Sequence, residues 1–215
     1  VNYAQYIWST YGGQITQALW QHLFLVGTSL AVGAVVAIPL GIWLSRHERA
    51  ATPVLAVVSI IQTIPSLAFF ALVLPILGIG STPALIILFL YSLLPILRNT
   101  YAGIRSVDAS LTDVAKGMGM TSWQRLTAVE LPLSAPLIVA GLRLSTIYLV
   151  SWATVAALIG AGGFGNLIFA GIDNYNNDLI VSGSVPTALL AFMAGLLFTG
   201  IRRLVTPAGL SGVKK

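Results

Sequence analysis

The stretch DVAKGMGMTSWQRLTAVELP, residues 113–132, gathers Asp113, Lys116, Arg125 and Glu130 in a chain that is 57% hydrophobic and 8% charged. Gly117 and Gly119 each cost about 1 kcal/mol inside a helix, so a tight turn or a close backbone neighbour must favour them. On the residues alone, the segment is either a solvated connector bent by its glycines or a surface made to meet a partner. Catalytic chemistry has less to work with. The chain has no cysteine and two histidines, too few for a thiolate or histidine-built zinc site. His22 and His47 lack a nucleophile motif around them, and no G-x4-G-K-[ST] phosphate loop is present, so any ATP must be hydrolysed elsewhere. Gly160, Gly162 and Gly165 spell G-x-G-x2-G, but without a preceding strand or a following acid in a βαβ unit they read as a turn that lets NLIFAGI re-enter.

Inside the apolar runs four features stand out. Pro65 in QTIPS removes a backbone donor. The resulting kink is either repaired by Gln62, Thr63 or Ser66, or opens a gate whose freed polar groups face water. Arg143 is the one charge within a run, placed to snorkel or to pair with Glu130 or Asp113. Tyr148 and Trp152, four apart, share a helical face; they either pack or present rings to a cationic head through cation–π attraction. Gln62, Pro65, Ser66, Tyr148 and Trp152 are therefore the candidate pore and gate residues.

The elements that must position these groups are membrane helices. A mean hydropathy of +0.91 describes an integral membrane protein, and a helix needs roughly 20 apolar residues to cross. About five runs qualify: 23–44, two within 50–97 joined by the turn at 78–83, 132–159, and 179–201. The expected organisation is an extracytoplasmic or interfacial segment 1–22, a transmembrane domain 23–201 containing the loop 113–132, and a tail 202–215. Arg46, Arg49, Arg98, Arg105, Lys116, Arg125, Arg202, Arg203, Lys214 and Lys215 all fall in alternate connections, and residues 1–45 have no Lys or Arg. This places the N-terminus outside and the C-terminus in the cytoplasm. A cleaved signal peptide fits poorly, because no basic region begins the chain. The net charge of +5 is a topology signal and not a nucleic-acid patch. No Asp or Glu lies inside a run and no internal repeat is apparent, which disfavours a channel or secondary transporter.

With its spacing included, DVAKGMG followed by nine residues and VELP resembles the EAA loop of ATP-binding cassette importer permeases, E-A-A-x3-G-x9-I-x-L-P. Asp113, Ala115, Gly119, Leu131 and Pro132 fall in register, with Val129 for Ile, Asp for Glu at 113 and Val for Ala at 114. IIQTIPSLAFFALVLPILGIG, YSLLPILRNTYAGIR, STIYLVSWATVAALIGAGGFG and VTPAGL are similar to the subfamily that imports glycine betaine, carnitine and choline. The resemblance implies an all-α polytopic bundle of the type I importer permease fold, in the cell membrane. It implies a cytoplasmic coupling helix, with Asp113, Ala115, Lys116, Gly119, Leu131 and Pro132 meeting an ATPase. It also implies a second permease, identical or related, two ATPase subunits that bind ATP and Mg, and an extracytoplasmic binding protein. No cofactor is expected in this chain, and its job would be alternating access. Another small solute, such as an amino-acid derivative, is the alternative cargo.

Overall fold

The computed structural model describes residues 2–207 and is helical throughout. The helices are α1 (Tyr3–Arg46), α2 (Glu48–Thr63), α3 (Ser66–Leu77), α4 (Ser81–Arg105), α5 (Ala109–Gly117), α6 (Ser122–Arg125), α7 (Leu131–Ala156), α8 (Phe164–Asp173) and α9 (Asn177–Val205). A π-helical turn, Leu126–Glu130, joins α6 to α7 without a break, and a 3-10 turn, Ala157–Ile159, extends α7. Four helices are long and apolar enough to cross a membrane, five if the bent pair α2–α3 counts as one.

A slab of α1, α4 and α7 forms the centre. Without a hydrophobic drive between helices in lipid, close packing of small residues holds such a slab together. On α1, a Cβ at Gly41 would lie 2.8 Å from Thr100 Cβ of α4. On α7, one at Gly141 would lie 2.8 Å from the Pro95 carbonyl oxygen. Leu25, Tyr91, Leu149 and Ala153 fill one part of the interior, Leu44, Leu94 and Leu97 another. α9 packs on α7 and α8 and exposes Leu189, Phe192 and Leu196.

Two features go beyond the sequence reading. Helix α1 runs unbroken through the anticipated boundary between residues 22 and 23. Its 44 residues span about 66 Å, twice the hydrocarbon thickness. Its first half is held by packing: Ala18 shares a cluster with Phe164 and Leu167 of α8, and Tyr3 Oη donates to Asp178 at 2.6 Å. The expected kink at Pro65 is instead a break of 93°. Ile64, the residue before proline, is pushed into extended conformation at φ −69°, ψ 125°. The halves of 16 and 12 residues measure about 24 and 18 Å, so neither alone crosses.

One end of the bundle collects Arg46, Arg105 and the α5–α6 segment, and the other collects the glycine loop 160–163 and the α3–α4 turn. The tail from residue 208 onward, including Lys214 and Lys215, lies outside the described residues, as does the end of VTPAGL.

Candidate functional site

At the basic end, Asp108 opens α5 by accepting the Ser110 N–H at 2.8 Å, and Ser110 holds its carboxyl below the usual range. Helix α5 closes at Gly117. Gly119, at φ +80°, turns the chain in the left-handed region, its N–H donating to the Lys116 carbonyl at 2.9 Å. Among the described residues, chain neighbours apart, no atom lies within 4 Å of where its Cβ would be, so backbone conformation and not crowding selects glycine here. Thr121 restarts the helix with a capping box to Gln124. The polar stretch is therefore a helix–turn–helix.

The proposed docking residues divide. Asp113 and Lys116 are exposed and pair with each other at 2.7 Å; Ala115 is buried beneath the turn; Leu131 and Pro132 begin α7. The apolar face was not anticipated. Val114 (62% exposed), Met118 (72%) and Trp123 (71%) stand outward with Leu111. The i, i+4 spacing of Val114 and Met118 was the available signal. Behind α5 is a cavity of about 370 Å³ lined by Ser106, Asp108, Leu111, Leu133, Pro136 and Arg202.

Glu130 ends the π-turn and is 2% exposed. Its carboxylate pairs with Arg46, in the last turn of α1. This corrects the pairing alternative for Arg143, since Glu130 pairs with Arg46 and Asp113 with Lys116. Arg143 is exposed and forms no ion pair among the described residues; its guanidinium lies over Gly195 of α9. Glu130 and Arg143 are thirteen residues apart, which puts them on different faces of the helix.

In mid-bundle, two prolines are repaired reciprocally. Pro95 has no N–H, which frees the Tyr91 carbonyl, and Gln62 Nε2 donates to that oxygen at 3.3 Å. Tyr91 Oη in turn donates to the carbonyl of Ile64, at the α2–α3 break, at 2.7 Å. Gln62 thus serves the proline of α4, while Tyr91, not singled out in the sequence, serves the break beside Pro65. Ser66 opens α3 and Thr63 bonds its own helix at Ile60. Trp152 lies between Tyr91, with ring centroids 4.3 Å apart, and Tyr148, at 5.3 Å, and Phe69 meets Tyr91 edge-on at 5.7 Å. Tyr148 is the outermost ring of this cluster. A buried tyrosine in an apolar helix requires a hydroxyl partner, which was the missed signal for Tyr91.

At the opposite end, Gly160, Gly162 and Gly163 all have positive φ, and α8 then re-enters against α1 and α9. Gln21 Oε1 accepts the Gly163 N–H at 2.9 Å. A cavity of about 350 Å³ opens beside it, lined by Gln21, Ser81, Gly162 and Asn166 among others.

The family described as "Binding-protein-dependent transport system inner membrane component" matches residues 12–208. The chain belongs to this family. It is a multi-pass inner-membrane permease. It is 45% identical over 206 residues to the Bacillus subtilis glycine betaine/carnitine/choline transport system permease protein OpuCB, covering 96% of this chain and 95% of the relative. It is also 45% identical to the carnitine transport permease protein OpuCB of Listeria monocytogenes, covering 93% and 91%. The osmoprotectant import permease protein OsmY of Salmonella typhimurium is 47% identical, with 87% and 80% covered. The permease fold matches that of a chain of the inward-facing MetNI methionine ABC transporter, with a TM-score of 0.81 at 24% identity, covering 90% and 96%. At that identity the likeness concerns the fold: an all-helical type I importer permease.

Proposed function

We propose that this permease is the membrane-spanning subunit of an ATP-driven, binding-protein-dependent importer of quaternary ammonium solutes: glycine betaine, carnitine and choline. The observation that carries the reading is 45% identity, over nearly the whole of both chains, to a relative named for those three solutes. The chain's own chemistry agrees with this reading. It carries no phosphate loop, which fits a partner ATPase as the subunit that binds ATP and Mg.

The basic end faces the cytoplasm, following the distribution of Lys and Arg, and the glycine-loop end faces outward. The helix–turn–helix of α5 and α6 docks into the ATPase. Val114, Met118 and Trp123 supply apolar contact, Asp113 and Lys116 the polar rim, and Gly119 the turn that brings the two helices together. Ala115, Leu131 and Pro132 hold this surface to α7. A second permease, identical or related, completes the passage, and an extracytoplasmic binding protein delivers the solute. ATP-driven closure of the ATPases alternates access between the two ends. Tyr148, beside Trp152 and Tyr91, offers an aromatic face to the cationic head as it passes, and the Gln62–Tyr91–Ile64 bonds fix the broken helix at Pro65 and Ser66 as a gate element.

The test is uptake by the complete complex in proteoliposomes. Glycine betaine, carnitine or choline should accumulate only with ATP and the binding protein. Transport of an amino-acid derivative in their place would reassign the cargo, and equal uptake from an ion gradient without ATP would refute the class.

A further inference from the structure

We infer that Arg46 and Glu130 are positioning residues that make α1 a strut between the two ends of the permease. The inference rests on reading residues 113–132 as the ATPase-docking segment. Glu130 closes a π-helical turn, a geometry with one extra residue per hydrogen-bonded ring that recurs where a helix must be re-aimed at a working site. Its carboxylate is buried, and the cation that meets it comes from the last turn of α1, 84 positions away.

Glu130 is buried while Arg46 is 45% exposed, and an apolar pair of similar volume would hold such a contact about as firmly. What the ion pair adds is register: a buried carboxylate ties that turn of the α6–α7 helix to one point on α1.

Near its midpoint, α1 makes a second directed contact. Gln21 accepts the N–H of Gly163, the residue that caps α8 in the glycine loop. From Gln21 to Arg46 the helix is unbroken, about 38 Å of backbone. Between these points it is held against α4 at Gly41, where no side chain fits. A displacement of α5–α6 therefore reaches the glycine loop along one continuous helix, with Pro39 between the two contacts, entering at Glu130–Arg46 and leaving at Gln21–Gly163.

The assay uses the whole importer, permease with ATPase subunits and binding protein, in nanodiscs for ATP hydrolysis and in proteoliposomes for uptake. The reading is uptake per ATP hydrolysed, normalised to assembled complex. Arg46→Glu and Glu130→Arg should each lower this ratio roughly tenfold, and the double exchange should recover most of it. Gln21→Leu should lower it in the same sense from the far end. A pair that merely held the fold would reduce the yield of complex and leave the ratio alone. Should the charge reversals fail to assemble, Glu130→Gln and Arg46→Gln carry the test by the same criterion. A wild-type ratio in the assembled Arg46 and Glu130 variants overturns the strut. Failure of the docking reading is separately visible, as full ATPase retention and uptake in Val114 and Met118 variants.

Discussion

The central slab and the α5–α6 segment solve opposite problems with opposite residues. In the slab, α1, α4 and α7 approach so closely that Gly41 and Gly141 admit no side chain, and the polar groups there are used on the protein's own backbone, as with Tyr91 and Gln62. In the docking segment α5 has 9 residues and α6 is the first turn of the continuous helix that runs on into α7; each is started by a side-chain cap, and large apolar side chains stand outward. A helix as short as α5 is marginal alone, so it keeps its shape by its cap and its energy by meeting something else. The slab stores stability, and the segment stores affinity.

That contrast can be broken at several points. Gly141→Leu should have the largest effect, overpacking the α4–α7 contact at a cost of about 3 kcal/mol, read as a lower thermal midpoint of the detergent-solubilised permease. Met118→Asp should leave that midpoint nearly unmoved, as surface changes usually do within about 0.5 kcal/mol. It should weaken ATPase association by about 2 kcal/mol, roughly thirtyfold, as for a removed hot spot, measured by co-purification at graded concentrations. Equal behaviour of these two variants would erase the distinction. Tyr91→Phe removes the hydroxyl from the Ile64 carbonyl and should cost roughly 1 to 2 kcal/mol of stability, seen in the same thermal assay. Gly119→Ala places a Cβ in the left-handed region at about 1 kcal/mol, and should slightly weaken ATPase retention without a clash.

Much of this was legible in the sequence because the bilayer imposes it. Apolar run lengths, the proline at 65 and the glycines at 160–163 each left a mark that needs no partner to interpret. The unbroken α1 was hidden because Tyr3, Tyr6, Trp8, Tyr11 and Trp20, alternating with Gln and Ser in its first half, suit an interfacial segment; its helix is stabilised by α8 and α9, which are distant in sequence. The Arg46–Glu130 pair was hidden for the same reason. In the sequence Arg143 is free to snorkel or to pair with Glu130 or Asp113, but thirteen residues of helix turn it and Glu130 onto different faces. In the docking segment, the match in spacing drew attention to Asp113 and Gly119, while the outward apolar side chains became visible only once the turn had been placed.

The central claim is that the α5–α6 surface is covered by the ATPase in the working importer. Because the chain has no cysteine, Met118→Cys provides a single thiol on that surface. Its rate of reaction with a maleimide should be high in the isolated permease and fall at least about tenfold in the assembled complex, as expected for a contact that excludes water. An equal rate in the two, with the ATPase subunits bound and uptake intact, would contradict the account.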